Sequence, residues 1–135
     1  MQAASYENFP GPWDAPDIHR PYCADSVEEK VFNKLELQDL LGLPLSDTLP
    51  LVAADSPVPP PAAAVPLAAQ DTVGLCMLLA GCDILLTQDP ALQRLARRYG
   101  TCPVENEAEL AQALQLFEEA AVWTAVCRRL MEEQE

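Results

Sequence analysis

Basic side chains are scarce in this chain. Eight Lys and Arg stand against 21 Asp and Glu, for a net charge of −13. A field of that sign repels phosphate backbones and anionic bilayers, which argues against nucleic acid and membrane surfaces as partners. Histidine is nearly absent: the one residue, His19, lies in a proline-rich region and reads as a surface residue rather than a base or a ligand. Glycine numbers five, and neither Gly-x-Gly-x-x-Gly nor Gly-x-x-x-x-Gly-Lys-Ser/Thr occurs, so the chain has no phosphate-cradling loop of those types. No serine sits in a nucleophile elbow. The five cysteines (Cys23, Cys76, Cys82, Cys102 and Cys127) form no Cys-x-x-Cys pair. An odd, scattered set argues against a disulfide framework and against a zinc site, and three of the five fall in apolar runs where they serve as small core residues. The acid pairs Glu28-Glu29 and Glu118-Glu119 fall on helical stretches at solvated spacing, which makes them poor general acids or bases. The longest apolar run, Val73 to Ala80, falls well short of the roughly 20 residues that a bilayer requires. Met1 to Pro12 is polar and lacks the apolar stretch of a signal peptide, so a cytoplasmic protein is expected.

What is present suits one small α/β domain. Half of the 135 residues are hydrophobic but only 6% are aromatic, so the core has to be built from Leu, Ala and Val. The clearest unit runs from Cys82 to Tyr99. Ile84-Leu85-Leu86 is a short apolar run suited to a buried parallel strand. Asp89-Pro90 follows, and then Leu92, Leu95, Ala96 and Tyr99 recur at helical spacing, with Arg94, Arg97 and Arg98 between them on a face that reads as solvated, with contact to an anion as the other reading. Proline at the first helical position, an aspartate cap before it and Gly100 after it mark both ends of that helix. The turn lies at the carboxyl end of the strand, where open α/β sheets hold their ligands. The polar group there is Thr87, Gln88 and Asp89, which also has a plain reading as a helix cap.

Around that unit the chain divides into an irregular proline-rich arm over 1–25 and a single domain over 26–135. In the arm, Trp13 and Tyr22 are expected to anchor onto the body. A helix starts at Ser26, which forms a capping box with Glu29; its apolar stripe is Val27, Val31, Leu35, Leu37, Leu40 and Leu41, and Gly42 and Pro44 end it. Residues 50–54 (PLVAA) read as the first strand. The run 56–66 holds five prolines and reads as an extended polyproline-like spacer, with a proline-recognition ligand as the other reading. A second helix opens at Gln70-Asp71-Thr72, is apolar on nearly all sides and ends at Gly81. Thr101 to Val104 is extended, and Pro103 makes it an edge strand or a connector. Asn106 caps a helix with Glu107 and Glu109 in its first turn and Leu110, Leu114 and Phe117 as its stripe. The last helix, from about Val122, places Val122, Val126 and Leu130 on one side, with Trp123 and Cys127 beside them. The expected fold is a small Rossmann-like three-layer domain with a short parallel sheet of two or three strands.

Residues 13–44 resemble the segment by which bacterial glycogen (starch) synthases enter their C-terminal, nucleotide-sugar half. The matching positions are Trp13, Asp17, Tyr22, Ala24-Asp25, Lys30, Asn33-Lys34, Leu37-Gln38 and Leu41-Gly42-Leu43-Pro44. Residues 50–54 look like the first strand of that half, Ile84 to Gly100 like its next strand, turn and helix, and 105–131 like its closing helices. The resemblance implies a GT-B glycosyltransferase that moves glucose from ADP-glucose to an α-1,4-glucan. It also implies that much of the machinery is missing. The family follows its first strand with an arginine and a lysine that neutralise the diphosphate, where this chain has Pro57 and Ala62. Leu86 and Gln88 replace glycines at the sugar-nucleotide turn. The acidic pair and glycine-rich loop beyond the third strand have no counterpart, nor does the acceptor-binding half. A diphosphate leaving without cations lacks the electrostatic stabilisation that dominates such a step.

Two functions therefore remain open. One is a degenerate, non-catalytic synthase-like domain, a pseudoenzyme that binds a partner protein or a glucan. The other is a glucosyltransferase component of glycogen biosynthesis completed by a second chain. The remnant nucleotide-sugar residues implied by the resemblance are Ser56, Thr87, Gln88 and Asp89. No catalytic residue, metal or cofactor is expected. The partners to consider are another protein, a second copy of the chain, a glucan or ADP-glucose.

Overall fold

Among the described residues four three-residue strands, Leu51–Ala53 (β1), Ala63–Val65 (β2), Ile84–Leu86 (β3) and Cys102–Val104 (β4), form one all-parallel sheet in the order β2-β1-β3-β4. In the computed structural model, residues 9–15, 18–55, 57–60, 62–67 and 71–133 are described. A 3-10 segment, Ala24–Glu29, leads into α1 (Lys30–Leu40), followed by β1 (Leu51–Ala53), β2 (Ala63–Val65) and α2 (Thr72–Gly81). Then come β3 (Ile84–Leu86), α3 (Pro90–Arg98), β4 (Cys102–Val104), α4 (Glu107–Phe117) and α5 (Ala120–Glu132). The domain is the expected Rossmann-like α/β type, with one strand beyond the two or three anticipated.

The extra strand lies inside the proline-rich run. Ala63, Ala64 and Val65 pair in parallel with Leu51, Val52 and Ala53, so β2 is an edge strand rather than part of a spacer. Parallel neighbours usually need a helical crossover. Here residues 54–62 make the crossing, with no helix among those described. Prolines can do this because the segment's own backbone need not form a ladder. The start of the loop is tied to the segment after β2, where the Leu67 amide donates to Asp55 Oδ1 at 3.2 Å.

Local signals place the other elements. Asp71 caps α2 through Gly74 N, Asp89 caps α3 through Ala91 N, and Asn106 caps α4 through Glu109 N. Gly42 and Gly100 take positive φ (+72° and +70°) where α1 and α3 end. Gly81 differs. It is the last residue of α2, and a Cβ there would stand 2.7 Å from Leu37 Cδ2 and 3.0 Å from Asn33 O, so its job is the close approach of α1 to α2. At the other margin of the sheet, Cys102 and Val104 make the hydrogen bonds to the β3 strand, through Asp83 O and Thr87 N. Pro103, between them, therefore turns its missing donor to the open edge.

Three sequence expectations are corrected. Ser26 does not cap a helix. Its Oγ accepts from Cys23 N at 3.0 Å from inside the 3-10 segment, while Glu29 reaches Arg20 at 3.5 Å. In α5 the buried face is Trp123, Cys127, Leu130 and Met131, with Val122 exposed. That face follows from α5 packing against α3, α4 and the 3-10 segment at once. In the arm, Tyr22 is buried and its hydroxyl donates to Tyr99 O at 2.6 Å, but Trp13 is 53% exposed and anchors nothing comparable. The arm is held instead through its backbone: Arg98 donates to Phe9 O and Tyr99 to Pro10 O.

Candidate functional site

The carboxyl edge of the sheet carries little beyond helix caps. Asp89 Oδ1 accepts from Ala91 N at 2.9 Å, and Thr87 Oγ1 accepts from Asp89 N at 3.2 Å. Gln88 is exposed, and Ser56 lies outside the described residues. Thr87 and Asp89 are thus taken up by the α3 cap, and neither they nor Gln88 line the cavity described below. No Lys or Arg occurs between Leu35 and Gln93, the run that supplies β1, the crossover, β2, α2, β3 and the turn into α3. Val58 and Ala62 in the crossover pack on the core. Of the basic residues, Arg20 pairs with Glu29, Arg128 with Glu28 and Arg129 with Glu133. His19, exposed, lies 3.7 Å from Glu36.

The opposite edge, where the strands begin, holds the polar core of the molecule. It is built by α1, whose inward face is Lys30, Asn33, Lys34, Leu37 and Gln38. The spacing is helical, but the face is mostly polar; of the leucines expected in the stripe only Leu37 is buried, while Leu40 (58% exposed) and Leu41 face solvent. A polar face can be buried when every group on it finds a partner. Lys30 Nζ donates to Leu79 O at 2.7 Å, Ala80 O at 2.8 Å and Thr101 Oγ1 at 3.2 Å. Those carbonyls belong to the last turn of α2, which has no basic residue of its own, so Lys30 supplies the cation that its dipole favours. Asn33 exchanges two 2.8 Å hydrogen bonds with the Arg20 backbone, and Gln38 does the same with the Ser46 backbone at 2.7 and 2.9 Å. Lys34 Nζ lies 2.9 Å from Asp83 Oδ2, with the two side chains only 4% and 11% exposed, and also donates to Asp47 O. Asp83 Oδ2 in turn accepts from Leu51 N, tying the starts of β1 and β3 to α1.

Burial shifts the titration of this cluster. Lys30 is brought down to about 8 by desolvation, against the pull of Asp83. Asp83 is pushed up by desolvation, with Lys34 and the Leu51 amide opposing. Burial pushes the thiols of Cys82 and Cys127 up to about 12, so neither is a thiolate nucleophile near neutral pH.

Above the polar cluster lies a cavity of about 550 Å³. This is within the range of small-ligand and side-chain pockets, roughly 300–1,000 Å³. Its walls include Val27, Val31, Leu114 and Trp123 from α1, α4, α5 and the segment before α1; Lys34 and Asp83 contribute to its floor, and Asp47, Thr48 and Glu118 to its lining nearer solvent. The floor offers few spare donors, since Lys30 spends all three on Leu79, Ala80 and Thr101. The ring of Phe117 has the Lys34 ammonium 4.6 Å above it and meets Trp123 at 75° with centroids 5.4 Å apart.

No protein-family model matches the chain, and no curated protein matches it.

The cavity was not legible in the sequence, because four separated segments assemble it. The inward face of α1 was partly so: Lys30, Asn33, Lys34 and Gln38 recur at helical spacing, and each has a backbone or ion-pair partner. Polar residues repeating at helical period were the available signal. Among the described residues, no group of His, Cys, Asp and Glu is arranged to hold a metal, and no helix is long and apolar enough to cross a membrane.

Proposed function

We propose that this chain is a non-catalytic, degenerate relative of the nucleotide-sugar half of glycogen synthases, and that it acts by binding rather than by glucosyl transfer. The observation that carries this reading is the charge of the carboxyl edge. The polar side chains there are occupied in capping α3, and the run of sequence from Leu35 to Gln93 contains no cation to meet a diphosphate. Transfer from ADP-glucose builds negative charge on the departing nucleotide, and the largest catalytic contribution to such a step is electrostatic. The cavity at the opposite edge supports a binding role, because it is open, mostly apolar and floored by charged groups that are already paired, Lys30 with carbonyls and a hydroxyl and Lys34 with Asp83.

Titration calorimetry with ADP-glucose, followed by a glucan-elongation assay, tests the proposal. The expected outcome is no saturable heat up to millimolar donor and no chain extension. Saturable binding in the micromolar range would overturn this reading, and any transfer would establish instead a glucosyltransferase component of glycogen biosynthesis that borrows its missing half from another chain.

A further inference from the structure

We propose that the cavity between α1, α4 and α5 is a docking site for a basic amphipathic segment of a partner protein, with apolar side chains seated in the pocket and Lys or Arg at its acidic mouth. The inference rests on the binding role proposed above and names its partner class.

Three observations select this occupant. The walls are apolar, from Val27, Val31, Leu114 and Trp123. The charged groups of the floor are neutralised internally, Lys30 by two carbonyls and a hydroxyl and Lys34 by Asp83, so an anionic ligand finds no spare cation there. The acids toward solvent are a different matter. Asp47 and Glu118 are exposed and form no ion pair within the described residues, and Glu28 is shared with Arg128 on the surface. Apolar depth below unpaired carboxylates complements a segment with leucine-like side chains flanked by positive charge, the pattern of helix-in-groove recognition. A net charge of −13 steers such a partner toward the chain.

A glucan fits less well. Sugar rings stack on open aromatic faces, but Phe117 carries the Lys34 ammonium over its ring, and Trp123 is only 7% exposed. The two rings contact each other in a T shape. What the pocket has left to offer is shape and an acidic mouth.

The probe is a short synthetic helix with Leu on one face and Lys on the other, labelled for fluorescence anisotropy. Its counterpart with Glu in place of Lys is the charge control. In a Trp13→Phe background Trp123 is the one tryptophan, and its emission reports occupancy of the cavity. The Leu/Lys helix is expected to bind saturably and to shift Trp123 emission, and the Leu/Glu helix to do neither. Glu118→Lys at the mouth and Thr124→Arg in the lining should each weaken binding by about tenfold or more with thermal unfolding unchanged. Glu132→Lys makes the same charge change near the far end of α5 and should leave binding as it is.

Equal weakening by Glu118→Lys and Glu132→Lys would reduce the effect to generic attraction and overturn the site. Equal binding of the Leu/Glu helix would overturn the charge selection. Displacement of the Leu/Lys helix by maltoheptaose, with Trp123 responding to the sugar, would make the occupant a glucan. Silence toward the Leu/Lys helix together with silence toward ADP-glucose would sink the docking inference alone, whereas ADP-glucose binding would sink the non-catalytic reading.

Discussion

Lysine is seldom buried, yet Lys30 and Lys34 both are, and each is held differently. Lys34 depends on Asp83. Removing one member of a buried ion pair strands the other, at a cost of roughly 3–5 kcal/mol. Lys34→Met should therefore lower unfolding stability by about that much, and adding Asp83→Asn should cost much less than a second independent loss. Urea denaturation of the two single variants and the double variant measures the coupling. Full additivity would mean that the 2.9 Å contact is not an energetic unit. Lys30 depends on carbonyls and a hydroxyl, and its pKa of about 8 has a consequence with a definite sign. Below that pH it is charged in both folded and unfolded chains. Between pH 8 and the unfolded value near ~10.4, the unfolded chain holds the proton and the folded chain sheds it, so this group makes stability rise with pH by up to about 1.4 kcal/mol per unit. The wild-type chain should gain stability over that window relative to Lys30→Met, and parallel curves for the two would place the Lys30 pKa back in the ordinary range.

Elements differed in how far their sequences announced them. The strand, turn and helix from Ile84 to Gly100 were legible because Asp89, Pro90 and Gly100 are local signals whose physics does not depend on the rest of the molecule. The Asn106 cap of α4 was legible for the same reason. The β2 strand was hidden by the prolines around it; only pairing with Leu51 to Ala53 makes Ala63 to Val65 a strand. For α1 and the segment before it, the expected stripe holds at Val27 and Leu37 and fails at Leu40 and Leu41. Counting apolar residues turned Leu40 and Leu41 inward, whereas the structure buries Lys30, Asn33, Lys34 and Gln38, which satisfy backbone groups of the neighbouring segments. Burial on this helix follows hydrogen bonding more than hydropathy. The α1–α2 contact also gives Gly81 a role that its place at a helix end concealed. Gly81→Ala should cost about 1–3 kcal/mol, as overpacking does, because the added methyl meets Leu37 and the Asn33 carbonyl. Gly42→Ala, with open space around it, should cost only the left-handed backbone strain of about 1–2 kcal/mol. Thermal unfolding of the pair separates crowding from strain: a clash at Gly81 predicts lost α1–α2 packing, which Leu37→Ala in the Gly81→Ala background should partly relieve.

At the scale of the whole molecule, sequence composition and sheet topology lead to the same division of labour. The edge where comparable folds hold ligands is short of cations and occupied by helix caps, while the edge where the strands begin has the cavity, the buried charges and the acidic mouth. That reversal could not be read from the sequence, because it requires knowing that residues 27–34, 47–50, 83 and 114–127 converge.

Pro103 has one more effect, on how copies of this protein behave at high concentration. Its ring sits where a growing ribbon of strands would need a hydrogen-bond donor, so the β4 margin cannot be extended by another chain's backbone. Pro103→Val should leave the monomer folded but raise light scattering and thioflavin binding on prolonged incubation, and unchanged scattering would mean that the margin is guarded by something else. With that route shut, the sheet offers another copy only the short β2 margin, and colloidal stability is otherwise set by helix side chains that mutation can tune without touching the sheet.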